Sequence, residues 1–257
     1  EENDPDLLTE AFTAQWNDDI HHCLHVMMTG ETDGYYADYA ESPVDGLLTS
    51  LSEGFVYQGQ PMAYRDGIGR GKPSAHLPPT KFIAFVQNHD QIGNRATGDR
   101  LTTQISEAAM RAIHALLMLC PQTPMLFMGE EFAATSPFQF FTNFGGELGE
   151  AVRNGRRNEF RRFDRFANPA AQALIPDPEA KATMTASTLT AKSRESADAL
   201  EYQTFVTELL TCRRTHLVPL LMSGEPVSAQ SRRLGATGFE ITWTFHSGAQ
   251  WSMLAQL

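Results

Sequence analysis

The sequence predicts an α/β fold in which parallel strands alternate with helices, followed by a short antiparallel β module. Two continuous apolar runs of strand length, residues 82–86 and 124–128, are separated by a helical pattern, and both a (β/α) barrel and a doubly wound sheet contain this order. A strictly alternating segment, residues 239–245, a turn at 247–248 and a returning strand over 251–257 predict the β module.

Helices are predicted where apolar residues recur at helical spacing. Four segments share this pattern: residues 20–28, 44–55, 105–119 and 200–214. The first stops at Gly30 and the second at Gly54, because glycine readily adopts the backbone conformation that ends a helix. Two stretches without such a pattern, residues 57–79 and 165–197, are predicted to be loops.

Composition narrows the range of partners. Asp and Glu number 31 against 20 Lys and Arg, and the formal net charge of −11 argues against binding to nucleic acid or to anionic lipid. Apolar stretches fall short of the ~18 residues that span a bilayer, so no membrane partner is expected. Cys23, Cys120 and Cys212 lie far apart and in odd number, which fits neither a disulfide framework nor a zinc ribbon. We therefore expect a cytoplasmic protein that binds a neutral or polar small molecule.

Polar residues follow both predicted parallel strands. His89 and Asp90 come after the first apolar run, and Glu130 and Glu131 come after the second. Active sites of barrels and doubly wound sheets lie at the carboxyl ends of strands, so these four residues are candidates for the site. A structural alternative stays open for each pair: Asp90 could cap the next helix through backbone N–H groups, and Gly129 could merely turn the two glutamates toward water.

The first predicted helix carries a second polar cluster, Asp18, Asp19, His21, His22 and His25. His21 and His25 are four residues apart and share a helical face, which is metal-ligand geometry in principle. His22 stands where a zincin motif has its Glu, so we expect no metal and favour neutral histidines at the edge of a polar site, where they suit sugar hydroxyls.

An aromatic-rich stretch, residues 138–144, follows the second predicted strand. Phe138 and its neighbours in a loop favour a partly exposed platform, the kind of apolar face on which sugar rings rest. The alternative is that these rings are buried loop anchors beneath the site.

Eight short motifs carry a resemblance to a known family. They are Ala14-Gln15-Trp16-Asn17-Asp18-Asp19-Ile20-His21-His22, residues 30–31 with 34–38, residues 53–59, Gln87-Asn88-His89-Asp90-Gln91-Ile92-Gly93-Asn94-Arg95, and residues 127–131, 135–138, 152–157 and 175–178. Asn-His-Asp resembles the α-amylase family of glycoside hydrolases, and the surrounding motifs narrow the resemblance to its malto-oligosyltrehalose trehalohydrolases.

The resemblance implies a partial (β/α)8 TIM barrel, roughly strands six to eight with their helices, followed by an incomplete C-terminal β-sandwich. Residues 1–216 would form the barrel part and residues 217–257 the start of a truncated β domain. The implied reaction is hydrolysis, without a cofactor, of the α-1,4 bond next to the trehalose end of malto-oligosyltrehalose or a related maltodextrin. It proceeds by the retaining mechanism, which needs a nucleophilic Asp, an acid/base Glu and a third carboxylate.

Asp90 matches the third carboxylate, and His89 matches the neighbouring histidine that binds the same sugar. The following residues are predicted to bind substrate: Trp16, Asp18, Asp19, His21, His22, Gln91, Asn94, Arg95, Glu130, Glu131 and Phe138.

The sequence departs from the family pattern at its start. The family carries its nucleophile and its acid/base on strands ahead of the Asn-His-Asp strand, and no strand-like segment ending in an acid precedes residue 12. Glu1 or Glu2 would be the acid/base only with a shorter spacing before Asn3-Asp4-Pro5. We therefore expect a C-terminal fragment that is unstable and inactive by itself. Three other functions stay open: a transglycosylase such as a branching enzyme, a noncatalytic sugar-binding barrel remnant, and metal-dependent hydrolysis through the histidine face.

Overall fold

The computed structural model describes residues 2–8, 12–160, 166 and 168–257. Its strands are β1 Gln15–Asn17, β2 Phe82–Ala84, β3 Thr123–Pro124, β4 Ser228–Leu234, β5 Gly238–Thr244 and β6 Gln250–Gln256. Its α-helices are α1 Asp18–Thr29, α2 Pro43–Glu53, α3 His89–Gly93, α4 Glu107–Leu119, α5 Gly146–Glu159, α6 Pro169–Gln172, α7 Lys181–Ala186, α8 Ala191–Arg194, α9 Ala197–Cys212 and α10 Val218–Leu221. No helix in this described part is both long and apolar enough to cross a membrane.

Two compact units make up the chain. The first contains Glu1–Val86, Glu107–Leu126 and Thr204–Leu257, and the second contains Gln87–Ser106 and Phe127–Gln203. Both sheets belong to the first unit, whereas the segments that follow β2 and β3 belong to the second. The predicted boundary between residues 216 and 217 stays a prediction.

Three short parallel strands, in the order β1-β2-β3, form the sheet expected of a partial barrel. β2 confirms the first predicted strand at three residues, and the second predicted strand is wrong beyond Pro124. Met125 donates one more backbone hydrogen bond to the Ala84 carbonyl, at 2.8 Å, before the chain turns away toward Gly129 at φ +93°. β1 was not predicted as a strand, because its three residues are too few to show a period.

Helices α1 and α2 confirm the first two helix predictions and pack against each other in the first unit. Gly30 and Gly54 end them at φ +70° and +101°, as predicted. The helices approach closely at Gly46, where a Cβ atom would lie 2.8 Å from the Cys23 Sγ atom. Cys23 is fully buried there, and burial raises the pKa of its thiol well above the ordinary value.

Helices α4 and α9 confirm the last two helix predictions, but α9 ends at Cys212 and continues as a π-helix, Arg213–Leu217. Arg213 is buried, and its guanidinium donates to the carbonyls of Met118, Cys120, Pro121 and Gln122 at 2.5–3.4 Å. Its positive charge therefore stabilises the C-terminus of α4, where carbonyl groups lack partners within the helix.

The antiparallel sheet has the order β4-β5-β6 and confirms the two predicted strands. Trp243 on β5 donates to the Leu51 carbonyl at the end of α2, at 3.0 Å, and Trp251 on β6 donates to the Leu119 carbonyl at the end of α4, at 2.9 Å. β4 was not predicted, because it is an edge strand whose mostly exposed residues show no apolar alternation.

The predicted loop over residues 165–197 contains three short helices, α6, α7 and α8, so that interpretation is wrong in part; residues 165 and 167 lie outside the described residues. Helices of four to six residues are too short to show an apolar period, and side-chain caps at Asn168 and Thr190 begin two of them. Helix α5 also went unpredicted, since Gly149 and Arg156 are its only buried residues.

Candidate functional site

The backbone at the start of α3 determines how His89 and Asp90 are presented. The Asn88 side chain accepts a hydrogen bond from the Asp90 N–H at 2.8 Å, and the Gln91 side chain accepts one from the Asn88 N–H at 3.0 Å. These two bonds form a capping box, so Asn88 is the helix cap and the capping interpretation of Asp90 is wrong. The side chains of His89 and Asp90 are 56% and 42% exposed, with Nε2 and Oδ1 3.5 Å apart.

Other predicted residues near α3 differ in their exposure. Gln91 is buried within the capping box, and Asn94 is exposed just after the helix. Arg95 is half-buried and its Nε donates to the Asp99 carboxylate at 2.9 Å. Of these three predicted substrate ligands, Asn94 has the most accessible side chain.

Glu130 and Glu131 fold back onto the turn that precedes them. The Phe127 N–H donates to Glu130 at 2.7 Å, and the Gly129 N–H donates to Glu131 at 2.8 Å. Glu130 is 1% exposed, whereas Glu131 is half-buried. The alternative that both glutamates face water is therefore wrong for Glu130, whose buried carboxylate instead accepts a hydrogen bond from the turn within the second unit.

Phe138 belongs to a partly exposed aromatic surface in the second unit. Its ring packs edge-to-face on Phe127 and Phe141, with centroids 5.0 and 6.0 Å apart, and Phe141 is 40% exposed. The Phe138 N–H donates to the Gly98 carbonyl at 2.8 Å, which fixes the backbone beneath the ring. The arrangement has the partial exposure expected of a platform for sugar rings.

Arg100 is a polar group beside this surface that no sequence pattern indicates. Its side chain is buried, its Nε donates to the Ser136 carbonyl at 2.7 Å, and its guanidinium lies over the Phe127 ring at 5.3 Å. Burial lowers the pKa of Arg100, while Glu130 and Glu131 act in the opposite direction. The guanidinium thus connects two segments of the second unit without reaching solvent.

In the first unit, the histidines of α1 are engaged by protein groups. His21 Nδ1 lies 2.5 Å from the Val86 carbonyl, which can only accept, so Nδ1 carries the proton. A neutral His21 then accepts from the Tyr36 hydroxyl at Nε2, at 3.0 Å, and His25 Nε2 lies 2.8 Å from Glu31. Because these nitrogens already have partners, the geometry does not favour the metal-dependent alternative.

Asp19 is fully buried and accepts hydrogen bonds from several parts of the first unit. Its donors are the Asn3 side chain at 2.8 Å, the Tyr39 hydroxyl at 2.5 Å, and the backbone N–H groups of Val56 at 2.6 Å and Tyr57 at 3.2 Å. The Arg70 guanidinium completes the cluster at 3.3 Å. Asp18 is also buried, at 2% exposure. The Asp19 carboxylate therefore has a structural role: it joins several segments of the first unit.

His22 and Trp16 are half-buried in the first unit. His22 stacks on the Tyr39 ring with centroids 4.8 Å apart, and burial lowers the pKa of His22 to about 4, with Asp19 acting in the opposite direction. The half-buried Trp16 packs edge-to-face on Phe85, with centroids 5.8 Å apart. His22 is therefore neutral at pH 7.

Comparisons with known proteins identify the relatives of this chain. No protein-family model matches it. It is 37% identical over 254 residues to a malto-oligosyltrehalose trehalohydrolase of Arthrobacter ramosus, an alignment that covers 96% of this chain and 41% of that protein. It is 39% identical over 214 residues to the protein of the same name from Deinococcus radiodurans, covering 82% of this chain and 35% of the relative.

A solved structure from Salmonella typhimurium, provisionally described as an alpha amylase, is 41% identical and superposes with a TM-score of 0.88. The match covers 95% of this chain and 40% of that one, so the chain has an α/β fold like that of an alpha-amylase-family protein. The chain spans about two fifths of the length of the Arthrobacter ramosus relative. The resemblance is thus confirmed: over nearly its whole length, the chain is homologous to the malto-oligosyltrehalose trehalohydrolases of the α-amylase family.

Proposed function

We propose that this chain carries the sugar-binding carboxylate of a retaining glycoside hydrolase that cleaves the α-1,4 bond next to the trehalose end of malto-oligosyltrehalose. Asp90 is that carboxylate, and His89 binds the same glucosyl unit. One observation carries the proposal: Asn88 takes the capping role, so the exposed Asp90 carboxylate remains available to a ligand. The names of the relatives supply the substrate class.

The proposed site residues would contact the substrate in different ways. An ionised carboxylate accepts hydrogen bonds only, so Asp90 suits the ring hydroxyls of the sugar being cleaved. These bonds strengthen as positive charge develops on the oxocarbenium-like transition state. The imidazole of His89 supplies a second polar contact, and the Phe138 and Phe141 rings supply an apolar face for a neighbouring sugar. Trp16 is proposed as a further stacking residue, so Trp16→Ala should weaken substrate binding.

The retaining mechanism also needs a nucleophilic Asp and an acid/base Glu, and we assign neither role to a described residue. Glu1 lies outside the described residues. Glu2 bonds to Arg65 at 2.9 Å, and this hydrogen bond lowers the pKa of Glu2. A general acid needs a raised pKa, so Glu2 does not suit that role. We propose the chain as the part equivalent to barrel strands six to eight with the start of the β-sandwich, and expect no hydrolysis by the 257 residues alone.

Product analysis tests the proposal directly. The complete open reading frame that encodes this chain is expressed, and the protein is incubated with malto-oligosyltrehalose. Free trehalose and a shortened maltodextrin are the expected products. New branch linkages would instead identify a transglycosylase, and binding of maltodextrin without turnover would identify a noncatalytic sugar-binding protein. Trehalose release by the 257-residue chain alone would contradict the proposal that none of its described residues is the nucleophile or the acid/base.

A further inference from the structure

Helix α3, which presents His89 and Asp90, is contacted at its C-terminal end by the buried side chain of Arg156. The Arg156 guanidinium donates to the carbonyls of Gly93 and Arg95, each at 3.1 Å, and to the carbonyl of Asn94 at 3.4 Å. Carbonyl groups at the end of a helix lack partners within it and carry partial negative charge. A guanidinium with its fork of donors matches three such groups at once.

The surroundings of Arg156 keep its guanidinium in place. The group lies over the Phe140 and Phe160 rings, with distances of 4.8 and 4.9 Å to the ring centroids, and its Nη1 lies 3.3 Å from the Glu159 carboxylate. The side chain is 8% exposed. Two aromatic faces, one carboxylate and three carbonyls therefore define one position for this charge.

A continuous hydrogen-bonded path leads from Arg156 to Asp90. The guanidinium binds the Asn94 carbonyl, and the Asn94 N–H donates to the Asp90 carbonyl at 2.9 Å. The helix has five residues, which is too short to be stable by itself. The Asn88 capping box at one end and Arg156 at the other therefore help to hold it in place, together with the buried Ile92 side chain.

We propose that Arg156 is a positioning residue for Asp90: by binding the carbonyls of residues 93–95 it sets where the Asp90 carboxylate meets the sugar. The inference rests on the proposed function, since it concerns the same carboxylate. Arg156 itself touches no reacting atom. A displacement of about 1 Å in a group that binds the transition state can lower a rate on the order of 100-fold. We therefore expect the enzyme to turn over substrate slowly when Arg156 no longer holds the C-terminal end of α3.

The test compares Arg156→Lys and Arg156→Met in the protein from the complete open reading frame. We expect kcat to fall about 10- to 100-fold with KM changed less than about threefold, because the contact with Asp90 strengthens mainly in the transition state. Lysine keeps the charge but not the fork, so Arg156→Lys should recover only part of the loss. Arg213→Lys is the matched control, since Arg213 is equally buried but binds carbonyls of residues 118–122; its kcat per folded molecule should not change.

Amide hydrogen exchange supplies a readout that does not require activity. The N–H groups of Asn94 and Arg95 bond to the carbonyls of Asp90 and Ile92, and we expect them to exchange about tenfold faster in Arg156→Lys. Faster exchange would support the proposal that Arg156 holds α3, even if the protein hydrolysed no glycoside. Absence of hydrolysis would reject the proposed function but not this contact. Unchanged exchange at these two amides, or activity that falls only in proportion to the folded fraction, would overturn the proposal.

Discussion

The side-chain oxygen of Asn88 accepts a hydrogen bond from the backbone N–H of Asp90, at 2.8 Å. An aspartate in the first turn of a helix is commonly engaged by backbone N–H groups. Here the neighbouring asparagine takes that task, and the Asp90 side chain is 42% exposed. Asn88 therefore stabilises the start of the helix, while the Asp90 carboxylate stays exposed for binding a ligand.

Asp90→Asn should therefore cost activity and leave folding intact. In the complete protein we expect kcat to fall by several orders of magnitude with KM little changed, because an amide cannot match the carboxylate in the transition state. Steady-state trehalose release and a thermal melt measure the two effects. Asn88→Ala should have the opposite pattern: loss of the helix cap should cost about 1 kcal/mol of stability and lower the melting temperature. A change in KM alone for Asp90→Asn would count against the proposed role.

Asp19→Asn should strongly destabilise the fold. The substitution leaves the buried Arg70 guanidinium without its carboxylate, and breaking a buried ion pair costs about 3–5 kcal/mol. Urea unfolding measures the loss. Asp45→Asn is the matched control, because Asp45 pairs with Arg233 at 3.2 Å on the surface, where such pairs contribute about 1 kcal/mol or less. Equal losses for the two variants would show that the buried cluster is not a stabilising ion pair.

The stability of the protein should depend on His22 in acid. Burial lowers the pKa of His22 from 6.5 to about 4, so between these values the unfolded chain binds a proton that the folded chain does not. This contribution is fully present above pH 6.5 and is lost as the pH falls toward 4, by about 2–3 kcal/mol.

His22→Phe keeps a ring on Tyr39 and removes the titrating group. We expect the difference in unfolding free energy between pH 7 and pH 4.5 to be smaller in this variant than in the wild type, by roughly that amount. Denaturant unfolding at both pH values provides the comparison. Parallel losses in the two proteins would show that His22 does not carry the effect.

Gly98→Ala should disturb the aromatic surface. Gly98 has φ +67°, and a Cβ atom there would lie 2.6 Å from the Phe138 carbonyl carbon and oxygen. Gly145→Ala is the matched control, with φ +65° and no atom within 4 Å of the added Cβ. Strain at positive φ costs both variants about 1 kcal/mol, and Gly98→Ala should cost clearly more because the Phe138 backbone must move. Urea unfolding measures the free energy of unfolding of each variant, and equal losses in the two variants would contradict this expectation.

Features set by local patterns could be predicted from the sequence. Helices α1 and α2 have several apolar positions each and end at glycines, so their extent and their ends are visible. His89 and Asp90 could be found because a continuous apolar run precedes them. β1 and β4 could not, since one has three residues and the other is a polar edge strand.

Roles that arise from distant contacts have no local signal. Arg156 meets the Gly93 carbonyl across 63 residues, and Asp19 meets the Val56 N–H across 37. A carboxylate that holds the fold and one that faces solvent look the same in a sequence, so the sequence predicts both Asp19 and Asp90 as site residues. Only the structure separates them, through burial and hydrogen-bond partners.

The close approach of α1 and α2 at Gly46 encloses Cys23, and Cys120 is likewise fully buried, whereas Cys212 is half-buried. Burial raises the pKa of Cys120 to about 11, so neither enclosed sulfur is readily ionised or reached by an oxidant. We therefore expect any disulfide that the native protein forms during storage in air to join Cys212 of two molecules, and reductant to return these pairs to single chains. Mixed, larger crosslinked species would report that the helical core had opened.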